Sequence, residues 1–342
     1  MHRIAKLARQ LAPEVDAPST SSSVAGLARA PTAAAADDAR SLPPPPFFQG
    51  RVILITGAAA GIGAACAKLY ARHGAAGLIL TDLDAVALTR VKEECAAIAA
   101  AASSSSSRPI KITTVAPLDI TSPEAPSKLR AAVERDHQSK LHVLVNNAGY
   151  TRDGVLHRMP DASFAAMMDV HVSAPFRLLR DVCGPLMRDA AKREQEKEAS
   201  NASSSSTITP RFVVNVSSTS GTHGNAGQAN YAAAKAAVVG LTKTVAKEWG
   251  PLGVRCNCVA FGLIDTRLTR EREGGEAIVV GGERVALGIP NAGAMRAFVE
   301  TMAPLRRVGT AEEAAGAVLF LSCEWASFVT GQCLEVNGGS YM

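Results

Sequence analysis

The stretch VILITGAAAGIG, residues 52–63, decides the fold of this chain. Its first four residues are all apolar, which is typical of a strand buried on both faces of a sheet. Gly57, Gly61 and Gly63 follow, and Ala64–His73 has the composition of a helix. The glycines permit a tight turn and let an anionic group approach the unpaired N–H groups at the start of that helix. The stretch therefore predicts a strand, an anion-binding turn and a helix.

A second strand and an acid follow at the spacing that dinucleotide sites use. Gly77–Thr81 has the composition of another buried strand, and Asp82 comes directly after it. Asp82 lies 19 residues after Gly63, close to the ~20 expected for the carboxylate that binds the adenosine ribose hydroxyls. The glycine-rich turn alone is weak evidence, but this order of elements indicates a dinucleotide site.

The alternation of strands and helices continues along the chain. Repeated βα units of this length predict an α/β fold with a doubly wound, mostly parallel sheet, a Rossmann fold, in a single domain over residues 49–342. A charged and then serine-rich segment at 189–210 is interpreted as a solvated loop. Strands are predicted at 110–115, 141–145 and 211–216, and helices at 85–101, 124–135 and 228–241.

The N-terminal segment 1–48 differs in composition from the rest. Its first ten residues form a short basic amphipathic pattern, and serine, alanine and proline then dominate, a composition that cannot build a packed core. The segment is interpreted either as an organelle transit peptide or as a disordered tail. The first alternative places the protein in the mitochondrion or plastid, and the second in the cytoplasm.

The overall composition excludes several classes of protein. A hydrophobic content of 47% with 20% charged residues is that of a soluble globular protein. Aromatic residues make up 4%, and the net charge of +5 is scattered, which argues against a nucleic-acid partner. No apolar run reaches the ~18 residues of a membrane span. The seven cysteines have no paired spacing, so neither a disulfide framework nor a metal site is expected.

Tyr231 and Lys235 lie one helical turn apart in the predicted helix and should share a face. A free tyrosine titrates near pH ~10, and an ammonium one turn away favours the phenolate, so we expect a lowered pKa for Tyr231. Ser218 ends the predicted strand before this helix, and strand ends are where open α/β sheets bind ligands. These residues predict an acid/base site.

Four motifs follow one another along the chain: Thr56-Gly57-x-x-x-Gly61-Ile62-Gly63, Asn146-Asn147-Ala148-Gly149, Ser218 and Tyr231-x-x-x-Lys235. In this order and spacing they resemble the short-chain dehydrogenase/reductase family, and the resemblance covers residues 51–342. Within the family, the chain looks most like the 3-oxoacyl-[acyl-carrier-protein] reductases and their relative 17β-hydroxysteroid dehydrogenase type 8.

The resemblance implies roles for these residues. Tyr231 would exchange a proton with the substrate oxygen, Ser218 would hydrogen-bond that oxygen, and Lys235 would also hold the nicotinamide ribose. Asp119 would lie by the adenine, and Thr266 by the carboxamide. The cofactor-binding residues implied in this way are Gly57, Gly61, Ile62, Gly63, Asp82, Asp119, Ile120, Asn147, Ala148, Gly149, Tyr231, Lys235, Ile264 and Thr266.

Two positions depart from the family pattern: His171, and Phe261, where the family commonly has a proline before Gly262. The family usually has an asparagine on the helix that follows the Asn-Asn-Ala-Gly strand, and the matching residue here is His171. We expect His171 to act as a catalytic residue in the proton relay and to give the activity a titration near neutral pH. The alternative is a structural histidine.

Charge favours NAD(H) over NADP(H) as the cofactor. Ala60 and Leu83 stand where NADP-dependent members commonly have basic residues, and the carboxylate of Asp82 would repel a 2′-phosphate. The predicted activity is hydride transfer between NAD(H) and a secondary alcohol or ketone, such as a 3-oxoacyl or 3-hydroxyacyl thioester. The alternatives are an NADPH-dependent 3-oxoacyl-[acyl-carrier-protein] reductase of fatty acid synthesis and a non-catalytic dinucleotide-binding subunit of a hetero-oligomer.

The region 266–304 lies where the family has its substrate lid. Apolar segments at 277–280 and 284–287 flank two glycines and predict a small hairpin. Such an apolar lid would suit an acyl chain or a ring system. The resemblance also implies a homotetramer, built through the helix that carries Tyr231 and through a C-terminal strand at 332–336.

Overall fold

The computed structural model describes residues 47–102, 109–200, 209–271, 277–280 and 282–342. Most of the predicted N-terminal segment therefore lies outside the described residues. Its last two residues, Phe47 and Phe48, belong to the packed fold instead: Phe48 is buried, and its ring lies 4.8 Å from that of Tyr70, edge to face. The described fold therefore includes residues 47 and 48, which the sequence analysis placed in the N-terminal segment.

Within the described residues, seven parallel strands form one sheet in the order β3-β2-β1-β4-β5-β6-β9, and two antiparallel strands form the hairpin β7-β8. The strands are β1 Val52–Thr56, β2 Gly77–Thr81, β3 Lys111–Val115, β4 Val143–Asn146, β5 Arg211–Ser218, β6 Val254–Phe261, β7 Ala277–Val280, β8 Glu283–Ala286 and β9 Cys333–Val336.

Helices cover both faces of the sheet. None of them is long and apolar enough, in the part of the chain that the structure describes, to cross a membrane. The helices are α1 Gly61–Arg72, α2 Ala85–Ala102, α3 Ala125–His137, α4 at 161–200, α5 Thr219–His223, α6 Ala229–Trp249, α7 Ala292–Met302 and α8 Ala311–Leu321, with single 3₁₀ turns at Leu156–Arg158, Gly250–Leu252 and Glu324–Ala326.

The long helix α4 is not uniform. Two of its segments, Asp169–Ser173 and Leu179–Arg188, are π-helical, and α-helical segments lie before, between and after them. Its last segment, Asp189–Ser200, is helical, so the predicted solvated loop at 189–210 is wrong over those residues. Glu194 in this segment is bonded to the buried Arg211 at the start of β5, with a 2.6 Å ion pair.

The strands are apolar on both faces because both faces are covered. Alternate residues of a strand point to opposite faces. Ile53 and Ile55 of β1 lie in one apolar cluster with α1, α2 and α8, whereas Val52 and Leu54 lie in a second cluster with α3, α4 and α6. This two-sided burial confirms the predicted doubly wound parallel sheet.

The strand order places the site. The chain runs from β1 outward to β3 and then returns to the other side of β1 as β4, so the sheet order reverses between β1 and β4. In open α/β sheets, ligands bind at such a switch point, beyond the carboxyl ends of the strands. Most of the predicted site residues lie at or just after the carboxyl ends of β1 to β6, and the others, His171, Tyr231 and Lys235, lie on helices α4 and α6.

Candidate active site

The glycine-rich turn between β1 and α1 has the geometry of an anion cradle. Gly57 and Gly61 have φ values of +65° and +52°, in the left-handed region. A Cβ atom on Gly63 would collide with the carbonyl oxygen of Gly57. Ala60, the N-cap of α1, makes no side-chain capping bond, so the first N–H groups of the helix remain available to a ligand. These features fit a pyrophosphate at the helix N-terminus.

Asp82 is held against this turn. One carboxylate oxygen accepts the N–H of Ala59 at 2.9 Å, and the other accepts the N–H of Asp84 at 3.1 Å. The carbonyl of Asp82 also accepts the N–H of Leu118 at 2.9 Å, which joins the loops after β2 and β3. The predicted ribose-binding carboxylate therefore lies at the switch point, beside the turn.

Asp119 lies in the loop after β3, where its carboxylate accepts the N–H and the hydroxyl of Thr121 at 2.9 and 2.7 Å. The neighbouring Ile120 is buried. On the other side of the turn, a Cβ on Gly61 would lie 3.3 Å from the methyl carbon of Thr266. A cavity of about 440 Å³ borders Gly61 and Thr266. Thr266 thus faces the turn from the loop after β6, next to the buried Ile264.

Asn147 braces the turn with its side chain. Its Nδ2 donates to the carbonyls of Thr56 and Gly57, both at 3.0 Å. The hydroxyl oxygen of Thr56 accepts the N–H groups of Asn147 and Ala148 at 3.0 and 3.1 Å. Both donor hydrogens of the Asn147 amide are committed to the turn, so this side chain acts first as a support for the cradle.

Ser218, Tyr231 and Lys235 converge at the carboxyl end of β5. Ser218 is the last residue of β5 and caps α5, since its Oγ accepts the N–H of Ser220 at 3.2 Å. Lys235 is buried and its Nζ donates to the carbonyl of Val216 at 2.7 Å. The same Nζ lies 5.5 Å from the centroid of the Tyr231 ring. The predicted shared face of Tyr231 and Lys235 is confirmed.

Burial dominates the electrostatics of this group. Desolvation raises the pKa of Tyr231 to about 12, although a hydrogen bond with Ser218 works in the opposite direction. Desolvation lowers the pKa of Lys235 to about 7. The prediction of a lowered pKa for Tyr231 is therefore wrong for this structure, because desolvation raises that pKa. Tyr231 is a protonated phenol at neutral pH.

His171 lies in the π-helical segment Asp169–Ser173 and is 3% exposed. Its ring is edge-on to the Tyr231 ring, with centroids 5.1 Å apart, and it occupies the space that a side chain on Gly149 would need. Burial, followed by the charge of Lys235, lowers the pKa of His171 well below 6.5. The expected titration of His171 near neutral pH is wrong, because this imidazole stays neutral there.

The sequence analysis missed the loop that follows β4. Arg152 forms a 2.7 Å ion pair with Glu283 of the hairpin. Asp153 accepts a hydrogen bond from Nε2 of Gln228, the residue before α6, at 3.1 Å. These contacts join the loop to the lid and to the helix that carries Tyr231. The sequence signal that could have found this loop was position, since Arg152-Asp153 comes two residues after the Asn-Asn-Ala-Gly motif at the end of a central strand.

The predicted hairpin of the lid is confirmed, and its second strand begins one residue earlier than expected, at Glu283. Val280 and Val285 are buried and belong to one apolar cluster with Tyr150 and Met167, against which Tyr231 packs. The apolar face of the hairpin therefore closes over the same region that holds the tyrosine.

This placement defines the class of protein. The half-buried phenol of Tyr231 and the hydroxyl of Ser218 lie beside a turn shaped for a dinucleotide. The phenol can give a proton to a substrate oxygen, and the hydroxyl can hydrogen-bond the same oxygen. The described residues contain no group of three or more histidine, cysteine, aspartate or glutamate side chains that could hold a metal ion. The arrangement is that of a dinucleotide-dependent oxidoreductase.

The chain belongs to the short-chain dehydrogenase/reductase family. A sequence profile described as short chain dehydrogenase matches residues 51–277, and one described as Enoyl-(Acyl carrier protein) reductase matches residues 282–341. The predicted family resemblance is confirmed.

Curated proteins and solved structures agree with this assignment. The chain is 35% identical over 295 residues to the 3-oxoacyl-[acyl-carrier-protein] reductase FabG of Vibrio cholerae, covering 86% of this chain and 99% of that protein. The enzyme of the same name from Escherichia coli is 32% identical with the same coverage. A short-chain type dehydrogenase/reductase from Mycobacterium marinum, at 24% identity, superimposes with a TM-score of 0.66 over 86% of this chain and 97% of that one, which supports the fold.

Family membership establishes the general chemistry. The protein is an oxidoreductase that acts on CH–OH groups with a nicotinamide dinucleotide as its cofactor. The residues around the glycine-rich turn fit such a group, because glycine is required at the points of close approach and the N–H groups of α1 are uncapped by a side chain.

Proposed function

We propose that the protein transfers a hydride between NAD(H) and a 3-oxoacyl or 3-hydroxyacyl thioester, or a comparably hydrophobic ketone. The observation that carries the proposal is the convergence of Ser218, Tyr231 and Lys235 beside the dinucleotide turn. The named activity of the Vibrio cholerae and Escherichia coli relatives supports the thioester class. The apolar hairpin over Tyr231 supports a substrate with an apolar portion.

The chain's own residues supply the proton and its orientation. The Oγ of Ser218 accepts the N–H of Ser220 and keeps its own hydroxyl hydrogen, which it would donate to the substrate oxygen. Tyr231 gives its phenolic proton to that oxygen as negative charge develops there. Because these donors are held in place on β5 and α6, they stabilise that charge with little reorganisation. The nicotinamide ring, when bound, supplies or accepts the hydride.

Tyr231 is the proposed proton donor when a ketone is reduced. Burial raises its pKa to about 12, so the phenol carries its proton at neutral pH. Reduction of a ketone needs such a donor, whereas oxidation of an alcohol needs a base.

The cofactor assignment rests on the turn and on Asp82. The N–H groups at the start of α1 would hold the pyrophosphate, and Asp82 would accept the ribose hydroxyls. A carboxylate fixed at 2.9 Å from the Ala59 nitrogen would repel a 2′-phosphate, so NAD(H) is proposed over NADP(H). Contacts with the cofactor are proposed for the remaining predicted residues, which are Ile62, Asp119, Ile120, Ala148, Gly149, Ile264 and Thr266.

The second candidate is an NADPH-dependent 3-oxoacyl-[acyl-carrier-protein] reductase, which the names of the relatives favour. The third alternative is a non-catalytic dinucleotide-binding subunit, and the complete set of Ser218, Tyr231 and Lys235 argues against it. A homotetramer built through α6 and β9 belongs to the proposal, as does an organelle location directed by the N-terminal segment.

The cofactor proposal is tested with the full-length protein, acetoacetyl-CoA and either NADH or NADPH. We expect a higher kcat/KM with NADH. The variant Asp82→Asn removes the negative charge but keeps a hydrogen-bond acceptor. It should lower the ratio of kcat/KM with NADH to kcat/KM with NADPH by about tenfold. Asp84→Asn, two residues further on, is the matched control and should leave the preference unchanged. Faster turnover with NADPH in the unaltered protein would reject the assignment of NAD(H).

A further inference from the structure

The fold brings two cysteines together on adjacent strands. Cys258 of β6 and Cys333 of β9 are 75 residues apart in the chain, yet they are direct partners in the parallel register of the sheet. The N–H of Cys258 donates to the carbonyl oxygen of Gln332 at 2.8 Å, so the strands are bonded to each other at this position. Neighbouring strands lie about 4.8 Å apart, and the Cα atoms of bridged cysteines are typically about 4.4–6.8 Å apart. The backbone therefore already has a spacing that a disulfide accepts.

The two thiols lie on the same face of the sheet and contact each other. The thiol of Cys258 is hydrogen-bonded to Thr242 of α6, and the thiol of Cys333 is close enough to Lys243 of the same helix to feel its charge. A hydrogen bond between the two thiols lowers the pKa of Cys333 and raises the pKa of Cys258. The sulfur atoms are therefore neighbours, as the Cα atoms are.

The two cysteines differ in their access to solvent. Six of the seven cysteines of the chain are buried, and Cys333 is the one that is partly exposed. A cysteine reacts as its thiolate, and exposure together with a lowered pKa marks a reactive thiol. Cys333 has both properties. Burial instead raises the pKa of four other thiols, those of Cys66, Cys95, Cys183 and Cys256. A dissolved oxidant would therefore react first with Cys333, and Cys258 is the buried thiol next to it.

We propose that Cys258 and Cys333 are a reversible redox pair, which a hydroperoxide oxidises to a disulfide between β6 and β9. The thiolate of Cys333 attacks the terminal oxygen of the peroxide, the O–O bond breaks, and Cys333 becomes a sulfenic acid while the other oxygen leaves as water or an alcohol. The sulfur of Cys258 then attacks the sulfenic sulfur. The S–S bond forms, the S–O bond breaks, and the hydroxyl group leaves as water with the proton of the Cys258 thiol. The peroxide gains the two electrons that the thiols lose, and a dithiol reductant returns them by thiol–disulfide exchange.

The disulfide would hold an edge strand that supports the active site. Among the described strands, β9 pairs with β6 alone, and a short edge strand is expected to open locally more easily than a central one. Glu335 of β9 lies 2.9 Å from Nε2 of His223 in α5, and α5 begins directly after Ser218. A covalent link from β9 to β6 should therefore suppress the opening of β9 and steady the support of α5. Formation of the link needs neither substrate nor cofactor, so it is independent of the proposed function.

The test uses the full-length folded protein, first reduced with dithiothreitol, then freed of the reductant and exposed to hydrogen peroxide. Free thiols are alkylated afterwards, and the peptides are mapped by mass spectrometry. We expect the peptide that contains Cys258 to be joined to the peptide that contains Cys333 within one chain, and the link to disappear on renewed reduction. Amide hydrogen exchange in residues 331–336 should slow by about tenfold on oxidation, because the link opposes local opening.

Three variants separate the roles of the thiols. Cys258→Ala should leave Cys333 as a sulfenic acid, which dimedone traps. Cys333→Ser should form no link, and exchange in residues 331–336 should not slow. Cys256→Ala is the matched control, because Cys256 is buried on the same strand two residues away and points to the same face. This control should form the link at a rate within about twofold of the unaltered protein.

Several results would overturn the proposal. One is that peroxide leaves both thiols of the folded protein free for alkylation, or links the two peptides only after the protein is unfolded in urea. A second is a link from Cys333 to Cys256 or to a cysteine of another chain. A third is alkylation of Cys333 no faster than that of the buried cysteines, since the proposal requires Cys333 to react at least about tenfold faster.

Discussion

His142 should make the stability of the protein depend on pH. It precedes β4, and its Nδ1 accepts the N–H of Val52 at 2.9 Å, a bond that only the neutral ring can make. Burial, and then the charges of Arg51 and Arg211, lower its pKa from 6.5 to about 4, while Glu194 works weakly in the other direction. A group whose pKa is lowered by folding makes its full contribution to stability when the pH is above its pKa in the unfolded chain. Its contribution is lost as the pH falls from about 6.5 towards 4.

The size of the effect follows from the shift. The full contribution of His142 is about 3 kcal/mol, and about 2 kcal/mol of it is lost between pH 7 and pH 5. His171 and His137 also have lowered pKa values and add to the pH dependence of the free energy of unfolding. The contribution of His142 is therefore measured as the difference between the unaltered protein and a His142 variant. We expect the free energies of unfolding of the unaltered protein and of His142→Gln to converge by about 2 kcal/mol over this interval.

The assay is urea unfolding at several pH values and one protein concentration, which removes the effect of subunit association. Glutamine retains an acceptor for the Val52 N–H but has no charge to gain. His142→Asn is the second neutral variant and should lose the same pH dependence. If the free energies of the unaltered protein and both variants ran parallel from pH 7 to pH 5, the burial argument for His142 would be refuted.

Two other changes test the site and the lid. Gly149→Ala forces a Cβ into the imidazole of His171, so we expect a loss of about 1–3 kcal/mol in stability and a lower kcat. Thermal unfolding and initial rates test this prediction, and an unchanged kcat would contradict it. Glu283→Gln breaks the ion pair with the half-buried Arg152. It should increase amide hydrogen exchange in residues 277–286 and lower stability by at most about 1 kcal/mol. Unchanged exchange would show that the ion pair does not hold the lid.

The parts of the fold and site that could be predicted depend on short-range chemistry. The apolar run of β1 and the glycines after it identify a buried strand and a close backbone approach without reference to other elements. Tyr231 and Lys235 share a face because one helical turn separates them. Ser218 lies at the end of a strand whose composition is visible in the sequence. Each of these predictions was confirmed in the structure.

The parts that could not be predicted depend on distant contacts. The pKa of Tyr231 rises because residues of the hairpin and α4 pack against the side chain and remove water from it. The motif alone does not determine that packing. The helix at Asp189–Ser200 was predicted as a loop because its sequence is charged. In the fold, Glu194 forms an ion pair with the buried Arg211 of β5. This contact cannot be inferred from the charges of the neighbouring residues in the sequence.

The central claim is that Tyr231 is the proton donor of a ketone reductase. The measurement is the initial rate of acetoacetyl-CoA reduction by NADH, with the full-length protein and the variant Tyr231→Phe, accompanied by NADH binding. We expect the variant to bind NADH normally and to lose at least about 10³-fold in kcat, since a general acid and an electrostatic donor are removed together. Retention of more than about one tenth of the rate, with unaltered binding, would contradict the account.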